Sequence, residues 1–298
     1  YVNVTLPGIC ASDQATAGFT INFPEVSQTA DFCDPCGDGQ DPSIICNPDD
    51  AEGNLDMPDV DGAVDFCTGL KRPFANWVNA VGYAVLEQVT LSIGGSPVDT
   101  IWSELLYIME ELNGSPGKRL TEMIGKRYSI EMAIEDSRKA RTLFIPIPFY
   151  FTSSSGLSLP MVALQFHGVQ VACKWAPLHK LIQVSTGTKS VRDITNGAPL
   201  TIDSLQATLD VQYVFLETAE RDRFSVGEYN QLIVQHQRYQ PTDFNSSNVN
   251  VQLNFNHPVT ELIWCVRREC HTQKNNLFNF SGKYGYDPVK SVGLTLNN

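Results

Sequence analysis

Val169-Gln170-Val171-Ala172-Cys173-Lys174-Trp175 places larger apolar side chains at every second position, with Gln, Ala and Lys between them. Successive side chains of an extended chain leave opposite faces, so this pattern predicts a strand with one buried face. The alternation recurs on both sides of that stretch. Upstream, Val85, Val89, Leu91 and Ile93 follow it, with Glu87 as an exception, up to the turn signal Gly94-Gly95. Downstream, Leu209, Val211, Tyr213 and Phe215 form a third set. Val249, Val251, Leu253 and Phe255 form a fourth, separated by Asn250, Gln252 and Asn254. Several such strands with polar turns between them predict antiparallel sheets packed as sandwiches, an all-β fold. Helical spacing is sparse. Ile101, Trp102, Leu105, Leu106, Met109 and Leu112 suit a helix with Asp99 or Thr100 as N-cap, ended by Asn113-Gly114-Ser115-Pro116-Gly117. Short helices are also expected over about 117–126 and 217–224.

The strands fall into two blocks. The first spans 1–184, with an acidic, cysteine-containing insert over about 31–67. A polar stretch over 185–199 is the expected linker, and a second block occupies 200–298. That second block is still laying down strand-like pieces at its end, and the chain starts without Met inside a strand-like segment. Both features predict a piece of a longer product with an incomplete second domain.

The length of 298 residues allows one large or two medium domains with real cores. Apolar residues make up 42% and charged residues 18%, a globular balance. No apolar run approaches the roughly 18 residues that a membrane-spanning helix needs, and the N-terminus has no signal-peptide pattern. The net charge of −12 is concentrated: residues 31–65 hold ten Asp and Glu52 with no Lys or Arg, which leaves the remainder near neutral. Phosphate backbones repel such a segment and no basic stripe offsets it, so no direct nucleic-acid partner is expected.

Cys33, Cys36, Cys46 and Cys67 fall in the acidic insert, two of them as a C-x2-C pair. They suit a disulfide staple or a zinc site, or remain free thiols. Thiolates beside eleven carboxylates would need strong metal binding to offset the repulsion, whereas a disulfide carries no charge. No resident metal or cofactor is therefore assigned. Cys10, Cys173, Cys265 and Cys270 read as ordinary strand residues. The Asp cluster reads as a solvated outward loop; its Asp59-Val60-Asp61-Gly62 is too short for an EF-hand. Sequons begin at Asn3, Asn113, Asn245 and Asn279, of which Asn113 and Asn245 lie in loop-like sequence and are the candidate glycosylation sites. No phosphate-binding loop, G-x-S-x-G or H-E-x-x-H motif occurs, and the five histidines stand far apart. No catalytic residue is assigned.

Four segments, in this order, resemble the major capsid proteins of nucleocytoplasmic large DNA viruses. They are Trp77-Val78-Asn79-Ala80-Val81-Gly82-Tyr83 leading to Ile93-Gly94-Gly95; Ile145-Pro146-Ile147-Pro148-Phe149-Tyr150-Phe151 with Gly156 to His167; Tyr213 to Thr218 with Glu220-Arg221-Asp222-Arg223-Phe224; and Asn254 to Trp264. The resemblance covers roughly residues 76–298 and leaves the acidic insert unmatched. It implies two consecutive jelly-roll sandwiches with short helices in loops, no enzymatic activity, and a homotrimer of pseudo-hexagonal outline. It further implies tiling of an icosahedral virion shell after assembly in the host cytoplasm, with neighbouring capsomers and minor capsid proteins as partners and host-surface glycans as a further one. Two alternatives stand beside it: a spike, penton or minor jelly-roll protein that meets host glycans, and a cupin-like metalloenzyme.

Overall fold

A computed structural model of the chain describes residues 1–6, 10–11, 20–21, 75–114, 117–118, 120–137, 139–184, 206–227, 230–282 and 286–295. The acidic insert and the 185–199 linker lie outside these residues.

The Leu86–Ile93 strand (β5) is the middle of a three-stranded antiparallel sheet, flanked by Ser96–Trp102 (β6) and Val169–Trp175 (β8). β5 and β6 form a hairpin whose two turn residues, Gly94 and Gly95, have φ of 60° and 81°. A tight turn with positive φ at both central positions matches the twist of the strands it joins, and glycine takes it without strain. A register shift lies between Leu91 and Ser92. Val89 sits opposite Ile101 on one side and Cys173 on the other, and all three face the core. β8 alternates half-buried and exposed along its whole length, as its sequence predicts.

A second sheet is assembled from distant parts of the chain. Val2–Leu6 (β1) is the centre, with Arg141–Ile145 (β7) and Gln206–Leu209 (β10) at its edges. Val2, Val4 and Leu6 point inward with Leu143 and Ile145, while Asn3 and Thr5 point out. Four short strands complete the set among the described residues: Cys10–Ala11 (β2), Thr20–Ile21 (β3), Ala75–Trp77 (β4) and Ile182–Val184 (β9). β2 pairs with β3, and β4 pairs with β9.

Between the two larger sheets lies Val81–Val85 (α1), a helix with all five residues buried. It packs on both β5 and β7 and so ties the sheets into one core. The chain enters it through Ala80 in the left-handed region (φ 50°), where Asn79 Oδ1 accepts from Ala80 N at 2.9 Å and from Arg127 N at 2.7 Å. Gly82 is the point of closest approach: a Cβ there would lie 3.0 Å from Ile124 Cα and 3.1 Å from Ile145 Cγ1. Backbone cannot yield to a methyl as a side chain can. Gly82→Ala is therefore expected to cost about 1–3 kcal/mol despite alanine's better helix propensity. A thermal melt of the variant that matches the parent would refute this.

The helix expected over 101–112 is present as Ser103–Asn113 (α2), but its N-cap is Trp102, not Asp99 or Thr100. Both of those residues lie in β6, whose pairing with β5 continues to Trp102 and overrides the capping signal. Only Leu106 of its apolar set is fully buried within the helix, and Leu112 is exposed. The region 117–126 holds one turn, Leu120–Met123 (α3). Ile130–Ser137 (α4) was not legible, and Thr218–Val226 (α5) matches the short helix expected at 217–224. A final helix, Glu269–Gln273 (α6), carries Cys270. That residue is disulfide-bonded, which corrects its reading as an ordinary strand cysteine. Its partner is neither Cys173 nor Cys265, both of which are free.

Beyond Leu209, no strand occurs among the described residues. The alternating sets at 211–215 and 249–255 belong to no ladder, and Val211, Tyr213, Phe215, Val249, Val251 and Leu253 are exposed.

Candidate functional site

The described residues after 229 meet the first sheet along a seam of polar and charged groups. At its centre is Asp99, whose side chain is fully buried on β6. Alternation puts Asp99 on the inward face, next to Ile101, where a lone carboxylate would be heavily penalised. The penalty is offset by three N–H donors. Thr100 N and His236 N donate to Oδ1 at 2.9 and 2.8 Å, and the His236 ring places Nδ1 3.0 Å from Oδ2. Gln235 Nε2 donates to Val98 O beside it, and Gln231 Nε2 to Leu157 O, each at 2.5 Å. The 231–238 segment is thus held largely by side chains, to β6 at Gln235 and His236 and to Leu157 at Gln231.

An Asp–His pair invites comparison with hydrolase machinery. Here both carboxylate oxygens and the histidine's own backbone N–H are consumed in the clasp, and no hydroxyl or thiol nucleophile is hydrogen-bonded to the ring among the described residues. The arrangement holds two chain segments together.

Further along the seam, Arg238 lies over the Trp102 ring at 5.5 Å and 3.5 Å from Glu104, which Arg267 also approaches at 3.9 Å. Arg267 is fixed by bonds to Thr272 Oγ1 (3.1 Å) and Leu277 O (2.6 Å). Asn275 donates to His179 O and Ile182 O at 2.6 and 2.7 Å, and Phe278 stacks on Tyr107 at 4.4 Å. Burial, and then Arg268, hold the His271 imidazole below its ordinary pKa. Burial pushes the Cys265 thiol up, with Glu104 adding to the rise against Arg267 and Arg238, so Cys265 is a poor nucleophile.

Of the residues singled out in the sequence, Cys33, Cys36, Cys46 and Cys67 lie outside the described residues. Asn113 is the last residue of α2 and Asn245 lies in a loop; both are exposed. Asn3, by contrast, is tied into the second sheet by Nδ2 bonds to Thr208 and Asp210. Among the described residues, no group of His, Cys, Asp and Glu is arranged to hold a metal ion, and no helix is long and apolar enough to cross a membrane. The Asp99–His236 clasp was missed in the sequence. The one clue was an Asp on an otherwise apolar strand face, and nothing local pointed to a histidine 137 residues away.

Two family descriptions match the chain in succession. "Major capsid protein N-terminus" matches residues 57–217, and "Large eukaryotic DNA virus major capsid protein" matches 220–298. Capsid protein 1 of Acanthamoeba polyphaga mimivirus is 33% identical over 247 residues, which is 78% of this chain and 39% of that protein. The major capsid protein of Pyramimonas orientalis virus is 32% identical over 188 residues, 61% of this chain and 42% of its own length. The chain thus spans about two fifths of the length of these relatives. Among solved structures, the quasi-atomic PBCV-1 virus capsid matches with 22% identity and a TM-score of 0.36, over 51% of this chain and 36% of that one.

Proposed function

The chain belongs to the major capsid proteins of large eukaryotic DNA viruses, structural proteins and not enzymes, and we propose that it builds the virion shell as a homotrimer of double jelly rolls. The observation that supports this most strongly is the pair of family matches in order along one chain, 57–217 followed by 220–298. Two similar sandwiches in one subunit would give six in a trimer, which suits a pseudo-hexagonal capsomer able to tile an icosahedral face.

The two larger sheets around α1 would form the body of the first roll. β10 returns to that sheet beside β1, which favours a boundary nearer residue 217 than the 185–199 linker expected from composition. The second roll would use the alternating segments at 211–215 and 249–255. Their exposed apolar side chains are the kind of surface that sheet pairing and sandwich packing would bury. Neighbouring capsomers, minor capsid proteins and host-surface glycans are the partners this role implies, with assembly in the host cytoplasm. Cys33, Cys36, Cys46 and Cys67 would act as a disulfide staple for the acidic insert, and Asn113 and Asn245 stand as candidate glycan carriers.

Light scattering on the full-length protein, with electron micrographs of the same fraction, tests the central claim. A stable trimer with a hexagonal outline is the expected result. A monodisperse monomer or pentamer would move the protein to a minor or receptor-binding role.

A further inference from the structure

A cleft of roughly 650 Å³ opens where the 267–277 segment meets the first sheet, and it is lined by Lys174, Lys180, Arg238 and Arg267 together with Glu87 and Glu104. We propose that this cleft binds a small oxyanion, carried on a phosphate or on a carboxylated sugar. Four cations, two of them anchored guanidiniums, face two carboxylates there, in a chain whose overall charge is −12. Glu87 is matched by Lys174 at 3.0 Å. Glu104 is shared between two guanidiniums at 3.5 and 3.9 Å, so it neutralises at most one of them. Lys180 faces no acidic partner among the described residues.

Orientation matters as much as charge. The Arg267 guanidinium is held by Thr272 and Leu277, and Arg238 is laid on the Trp102 ring. A guanidinium fixed before the ligand arrives loses little freedom on binding, and its planar fork suits the two oxygens of a carboxylate or phosphate. Gln88, Gln273 and Asn275, also in the lining, could hydrogen-bond the hydroxyls of a sugar. On the same 267–277 segment, burial first and then Arg268 and Arg267 lower the pKa of His271. The proposal does not depend on the shell reading, since a monomer could bind the same ligand.

The test is calorimetric titration of the full-length protein with inorganic phosphate and, separately, with glucuronate. Saturable binding of either is expected, weakened about tenfold or more by Arg267→Gln, the loss of one charge-assisted pair. Lys180→Gln, at an exposed site with no partner to lose, should weaken it several-fold without altering the fold. Lys139→Gln, on a distant surface pair, should leave it unchanged. Preference for phosphate or for glucuronate identifies the source of the oxyanion. Absence of saturable binding to both, or binding indifferent to Arg267→Gln and Lys180→Gln, would overturn the assignment.

Discussion

Asp99→Ala is expected to lower the stability of the full-length protein by about 3 kcal/mol, read as an earlier urea midpoint with an unchanged slope. The substitution removes the acceptor for Thr100 N, His236 N and the His236 ring at once. Buried donors left without partners each cost about 1–3 kcal/mol, and the methyl that replaces the carboxylate can satisfy none of them. His236→Ala should cost less, about 1–2 kcal/mol, because Thr100 N and the backbone N–H of residue 236 still donate to Oδ1 and only the ring partner of Oδ2 is lost. The two losses should not add. Asp99→Ala already strands the ring, so the ring's share is lost only once in the double variant, and a double-mutant cycle should return a coupling of about 1–2 kcal/mol, while Thr100 N and the backbone N–H of residue 236 stay without their acceptor. Strict additivity would show that the clasp is incidental. A useful companion is limited proteolysis, in which the Asp99 variant should be cut faster within 231–238 than in β5 or β6.

Leu91→Ala should be at least as damaging, at about 3–4 kcal/mol, within the range for buried leucine truncation. Leu91 has no exposed surface and lies on the middle strand of its sheet, between Asp99 of β6 and Val171 of β8. Neighbours on both sides are held in register by ladder bonds, so the hole cannot collapse cheaply. The thermal midpoint should fall by several degrees, while Leu112→Ala, at an exposed position of α2, should leave it almost unchanged. Equal effects at the two positions would contradict the burial pattern.

How much of this was legible in the sequence depends on where the stabilising contacts lie. β5 and β8 were readable because their alternation and the Gly94-Gly95 turn signal agree, whereas β6 was not read as a strand. The Asp99 capping signal misled because a helix cap is decided by a few adjacent residues, while the strand through Asp99 is stabilised by partners on β5. The alternation at 249–255 is as clear as that at 169–175, yet only the latter forms a ladder, because alternation specifies a face and not a partner. The clasp, the Arg267 anchor and the cleft depend on residues far apart in the chain, and no window of sequence contains them. Family membership was legible from contiguous segments such as 145–151 and 254–264. The acidic insert gave composition and cysteine spacing, and neither fixes a geometry.

The pairing of β1 with β10 carries a temporal consequence. Val2 sits opposite Leu209, so β1 must wait for a strand synthesised some two hundred residues later. At about 5–20 residues per second, that interval is roughly 10–40 s per nascent chain. Throughout it, β1 has an unpaired hydrogen-bonding edge and the apolar face of Val2, Val4 and Leu6 to conceal. A message loaded with many ribosomes holds many identical sticky strands close together, each able to pair with its neighbour's β7 in place of its own. The yield of correctly closed subunits should therefore depend on how sparsely ribosomes are spaced, and on chaperones that shield β1 until β10 arrives.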